Sequence, residues 1–113
     1  MAVYVKVLIP AKIAENAQTT QYTTATNVTT IVDKFTATNY GAAAASISVN
    51  VVTSGDTSGN QNLIVKTKTL QPAETYTFPE IVGVALDPGG FISTLASVAS
   101  SINIRSNGRE ITS

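Results

Sequence analysis

Between Asn27 and Val52 apolar and polar residues alternate with a period of two, and no other feature restricts the fold of this 113-residue chain as strongly. Ile31, Phe35 and Ala37 fall on one side of a pleated strand, with Thr30, Lys34, Thr36 and Thr38 on the other. Further along, Ile47, Val49 and Val51 alternate with Ser46, Ser48 and Asn50. The small residues between the two runs, Gly41 and Ala42–Ala45, tolerate positive φ and close backbone approach. The pattern predicts two strands folded back on each other as the central hairpin of a β-sandwich, with one face in the core.

The chain length suits one domain with a thin core. Cys, His and Trp are all absent. Without Cys there is neither a disulfide nor a thiolate, and without His the commonest acid–base group and zinc nitrogen ligand are missing, so no enzyme, cofactor or metal site is expected. Charged residues make up 12% of the chain and sum to zero net charge, against a usual charged fraction of about 25%. Such a surface suits either a Thr/Ser/Asn-rich β-protein whose hydroxyls replace charges or, the reading favoured here, a protein partly covered by neighbouring subunits. It lacks the basic stripe that nucleic acid demands. The apolar run Ala2–Ile9 is interrupted by Lys6, is short for a membrane span and has no charged leader, so neither membrane insertion nor a signal peptide is expected.

Read in order, the chain is strands and turns. Val3–Ile9 is β-branched and ends at Pro10, which cannot donate to a ladder. Ala11–Ala17 reads as a linker. Residues 1–17 are therefore expected to form an N-terminal strand or arm, and residues 18–113 the sandwich. Val3, Tyr4, Val5, Val7, Leu8 and Ile9 are the candidate inter-subunit contact, because an unpaired strand edge is a template for another chain. The alternative is an ordinary first strand.

Thr53–Gln61 is a polar loop with two misleading features. Gly55-Asp56-Thr57-Ser58-Gly59 looks like a glycine-flanked serine nucleophile, but no His exists to activate Ser58. Asp56, Asn60 and Asn62 offer oxygens for calcium with too few carboxylates to hold it well. Lys66 and Lys68 sit on a solvated strand face, and Pro79–Leu86 starts like a single helical turn that would plug the sandwich. Asp87-Pro88-Gly89-Gly90 is a strong turn signal. Asn107-Gly108 predicts a final hairpin between Ile102–Ser106 and Arg109–Thr112. Asn27-Val28-Thr29 fits a glycosylation sequon by chance.

Roughly seven to nine short strands with no amphipathic helix predict an all-β sandwich of immunoglobulin-like or jelly-roll type. Phe35, Ile47, Val49, Val51, Leu63, Tyr76, Phe78 and Phe91 are the expected core, with Ile31, Ile102 and Ile104 beside them. Tyr4, Tyr22 and Tyr40 remain as scattered surface aromatics, too dispersed for the platform of a glycan-binding module. The carboxylates are scattered too, and Glu74 and Glu80 merely flank a strand.

A succession of short stretches also resembles small virion proteins of tailed bacteriophages. It comprises Ile9-Pro10-Ala11, Ala17–Tyr22, Ile31–Asn39, Leu70–Tyr76, Asp87–Ser93 and Ser106–Thr112, and covers nearly the whole chain. The resemblance implies a β-sandwich that decorates or cements the capsid, or sits in the neck or tail. Its partners would be the major capsid protein or neck and tail proteins together with further copies of itself, and its location the virion.

Overall fold

A computed structural model describes residues 1–112. Nine strands account for most of them: β1 (Ala2–Ile13), β2 (Thr19–Thr23), β3 (Val28–Asn39), β4 (Ala45–Val52), β5 (Leu63–Leu70), β6 (Thr75–Thr77), β7 (Ala85–Leu86), β8 (Phe91–Ala96) and β9 (Ile102–Thr112). One 3₁₀ turn, Asn60–Asn62, precedes β5, and there is no α-helix among the described residues. One sheet runs β1–β9–β3–β6, with the two-residue β7 also paired to β3, and the other runs β2–β8–β4–β5. All pairings are antiparallel. With β7 set aside, the first strand pairs with the last, the second with the next to last, β3 with β6 and β4 with β5, and successive pairs alternate between sheets. That is the wound double hairpin of a jelly roll.

The sandwich is as expected, but Asn27–Val52 does not close as a hairpin. β3 and β4 lie in opposite sheets, so the turn between them crosses the core edge. Asn39, fully buried, holds that crossing. Its amide donates to the carbonyls of Ala43 (2.9 Å) and Leu70 (2.9 Å), and its Oδ1 accepts the Gly41 N–H (2.9 Å). A buried amide satisfied on three sides fixes a crossing better than the alanines alone would.

The core lies between the sheets, with Phe35, Phe78, Ile9, Ile47, Leu70, Ile81, Ile92, Ile102 and Ile104 fully enclosed. Of the expected core residues, Phe35, Ile47, Val49, Phe78, Ile102 and Ile104 are buried, while Ile31, Val51, Leu63, Tyr76 and Phe91 are half-buried. Ile31 is displaced for a specific reason. Val32 pairs with Gly108 and Lys34 with Asn107, so Asp33 is an extra residue in β3. Such a bulge flips the alternation: Thr30 and Val32 face inward before it, and Phe35, Ala37 and Asn39 after it. Leu63 pairs with Asn50 beyond another irregularity in β5 and lies away from the core.

The first strand also departs from expectation. β1 continues through Pro10 to Ile13, and the segment read as a linker places Ala14 in the core. Pro10 is tolerated because β1 is an edge strand with a register shift between Ile9 and Lys12, where no ladder donor is required of it. A second extra residue between Val7 and Ile9 brings both Leu8 and Ile9 inward.

The expected final hairpin is absent. β9 is one continuous strand between β1 and β3, and Asn107-Gly108 lies within it. A type I′ turn needs positive φ at both central positions, yet the glycines with positive φ are Gly55, Gly83 and Gly89. The segment Pro79–Val84 forms turns rather than a helix: Phe78 O accepts from Ile81 N (3.1 Å) and Val82 N (3.2 Å). Its Ile81 still fills the core. Asp87–Gly90 turns as expected, with Gly89 at φ 83° and Gly90 N bonded to Asp87 O at 2.9 Å.

Candidate functional site

The outer face of the β1–β9–β3 sheet carries the most distinctive surface. Cross-strand pairing sets three rows side by side: Val3, Ile111 and Thr29; Val5, Arg109, Ile31 and Ala85; Val7, Asn107 and Lys34. Directly opposed residues project to the same side of a sheet. Val3, Val5 and Val7 are 52%, 85% and 48% exposed. Arg109 forms a bidentate pair with Asp33, Nε to Oδ2 at 3.0 Å and Nη2 to Oδ1 at 2.9 Å. The bulge that moves Ile31 to this face also supplies the carboxylate that neutralises its one central cation. The result is a largely apolar face with the internally neutralised Arg109–Asp33 pair at its centre and Lys34 at its rim, on a sheet rather than on a mobile loop.

Of the candidate contact residues, Val3, Tyr4, Val5 and Val7 are exposed, whereas Leu8 and Ile9 belong to the subunit's own core. The latter two are therefore not available to a neighbour, and the cause is the bulge after Val7. Ile31, Ile111 and the Arg109–Asp33 pair join the surface instead. The sequence signal for them was the spacing Val3, Val5, Val7 opposite Arg109 and Ile111, visible only once β1 is known to pair with β9.

Behind the stripe, a polar tie joins the two sheets. Tyr22, on β2 of the other sheet, donates to Glu110 Oε2 (2.5 Å) and shares a hydrogen bond with Thr30 (2.8 Å), while Thr24 donates to Thr30 (3.2 Å). Glu110 also takes Lys6 Nζ at 3.1 Å. The hydrogen bond from Tyr22 holds the Glu110 carboxyl below its usual range against the opposing effect of burial, and Lys6 adds to the shift. Burial, then the bond to Glu110, pushes the Tyr22 phenol up.

Stability follows from these directions. The contribution of Glu110 is complete above the ordinary glutamate value of about 4.3 and is lost as pH falls through its lower folded value; that of Tyr22 is complete below about 10 and is lost as pH rises through its higher folded value. Tyr22→Phe is expected to cost about 1 to 2 kcal/mol at neutral pH. Glu110→Gln should flatten the acid limb of a plot of melting temperature against pH. An unchanged acid limb in that variant would mean the tie contributes nothing.

Elsewhere, polar groups are engaged locally. Asp56 accepts from Thr57 N (2.8 Å), Gln61 Nε2 (3.2 Å) and Asn62 Nδ2 (3.3 Å), so donors occupy the carboxylate considered for calcium. Glu74 caps its own turn through Gln71 N (2.8 Å), and Glu80 accepts from Tyr76 (3.4 Å). No group of three His, Cys, Asp or Glu side chains able to hold a metal comes together among the described residues. Ser58 borders an open groove of about 280 Å³ on the second sheet, with Gln18, Asn50, Lys66 and Leu95. There Gln18 donates to Ser93 (2.6 Å) and Asn50 (3.3 Å), and Asn50 donates to Asn62 (2.7 Å). Lys68 does not share a solvated face with Lys66; its Nζ sits 4.4 Å over the Tyr76 ring, closing the opposite edge of the sandwich. Comparison with known proteins finds no matching family model, curated protein or solved structure.

Proposed function

We propose that this chain is a structural protein of a tailed-bacteriophage virion, a decoration or cement protein on the capsid, with a neck or tail subunit as the alternative placement. The observation that carries the assembling role is the stripe Val3, Val5, Val7, Ile31 and Ile111 on the outer face of a rigid sheet. Exposed apolar patches of this kind mark interaction sites. The phage assignment itself rests on the order of strand and turn stretches that resembles small virion proteins. A jelly roll hosts many functions, so the fold alone does not select one. Many copies on a symmetric lattice would make individually weak contacts effective together.

On this proposal the protein performs no catalytic step and needs no cofactor. A second reading, a ligand-binding module, is favoured by the groove at Gln18, Asn50 and Lys66. The amides there are already committed to one another and to Ser93, which leaves fewer groups to orient a ligand.

The test uses particles of the phage that carries this gene, prepared with the gene deleted. Such particles should lose resistance to heat, and purified protein should bind them saturably and restore it. Val7→Lys places a charge on the stripe at a half-exposed position, and should weaken that binding at least tenfold while leaving the melting temperature nearly unchanged. Deleted particles of undiminished heat resistance that take up no protein would defeat the proposal.

A further inference from the structure

The free edge of β1 has a geometry that complements itself. From Ala2 to Val7 the strand pairs with β9 in unbroken register, Ala2 with Thr112 through Val7 with Asn107. The bulges and the proline that blunt strand edges occur only beyond Val7. Lys6 is the sole charged side chain in that regular stretch, and it is drawn onto Glu110 at 3.1 Å. The β1 edge is therefore an unprotected template flanked by exposed valines.

We infer that the β1 edges of two copies of this chain pair antiparallel about a two-fold axis at Val5. Odd-numbered residues face outward here, so a continuous apolar face requires odd to oppose odd. In the register centred on Val5, Val3 opposes Val7 of the partner subunit, Val5 opposes its own copy, and Tyr4 opposes Lys6 of the partner subunit. All three valine rows are matched, and each lysine meets an aromatic ring rather than its own kind. A shift of two residues one way sets Lys6 against Lys6 of the partner subunit; a shift the other way sets Tyr4 against Tyr4 of the partner subunit and leaves each lysine opposite an alanine rather than a ring. Charge and apolar matching thus select one register. The net charge of zero adds no repulsion between copies. The interface is isologous and joins two sheets into one, doubling the apolar stripe. This pairing is a property of the isolated chain and does not depend on where the protein acts.

The natural absence of Cys makes the test clean. In the proposed register the two Val5 Cα atoms lie about 4.5–5.5 Å apart, within disulfide reach. The two Val3 positions are offset by four residues, roughly 14 Å along the strand, which is out of reach. Under mild oxidation Val5→Cys should form a covalent dimer, while Val3→Cys alone should not, and an equimolar mixture of Val3→Cys and Val7→Cys should give the cross-linked heterodimer. Sedimentation of the natural chain should show the mass rising from one copy towards two with concentration, and Val5→Lys should hold it at one. A natural chain that stays monomeric up to millimolar concentration, or equal cross-linking through positions 3 and 5, overturns the inference.

Discussion

Gly108→Ala should destabilise the protein by about 3 kcal/mol or more, seen as a large fall in the urea midpoint with little change in slope. The position lies inside β9, an interior strand of its sheet, where a Cβ would overlap the carbonyl oxygen of Ile31 and press on Leu8 Cδ1 at 3.0 Å. The first obstacle is backbone, held in the β3 ladder, and cannot rotate aside. Leu8 is itself packed in the core. Had Asn107-Gly108 formed the tip of a hairpin, alanine would have incurred only the left-handed penalty of about 1–2 kcal/mol. A loss of under 1 kcal/mol would mean that the close approach of β3 and β9 is not as described.

Phe35→Ala should cost about 3–5 kcal/mol, a large share of the stability of a small domain. Phe35 is fully buried, and its ring meets Phe78 edge-on with centroids 5.3 Å apart. Phe78 in turn meets Tyr76 at 4.8 Å, beneath Lys68. Removing Phe35 therefore opens a cavity at the inner end of an aromatic chain that links the core to the sandwich edge. Ile31→Ala is the control, because the bulge at Asp33 places Ile31 on the outer face. It should cost about 1 kcal/mol or less. Comparable losses from the two substitutions would contradict the phase change within β3.

These pairs of outcomes mark where the sequence was legible. The period-two alternation identified strands and the all-β class, because a strand with one buried face writes its periodicity directly into the residues. It did not reveal the extra residue at Asp33 or the one after Val7. A bulge changes the phase without changing composition, so alternation alone puts Ile31 inside and gives no sign that Leu8 and Ile9 both enter the core. Runs adjacent in sequence with a turn signal between them predict a hairpin of β3 and β4 and another of the two halves of β9, whereas winding a jelly roll puts β3 and β4 in opposite sheets and pairs the first strand with the last.

The candidate surface was half legible for the same reason. Val3, Val5 and Val7 stand in plain alternation near the start of the chain, but the residues that complete their face arrive from β9 and from the displaced β3. Lys6 and Glu110, which anchor β1 from behind, are 104 residues apart along the chain. Local propensity carries no information on such a pairing, and only the assembled sheet brings it into view. Gly108 had a visible signal that pointed to the wrong cause: glycine was required, but for close backbone approach rather than for a turn.

Cryo-electron microscopy of the assembled virion is the decisive measurement for the proposed role of this jelly roll as a repeated structural part of a phage particle. Density for many copies of the two-sheet fold is expected on the outside of the capsid, with Val3, Val5 and Val7 covered by neighbouring protein. Particles in which no copy of the fold appears on capsid, neck or tail, or in which it is present with that stripe facing open solvent, would contradict it.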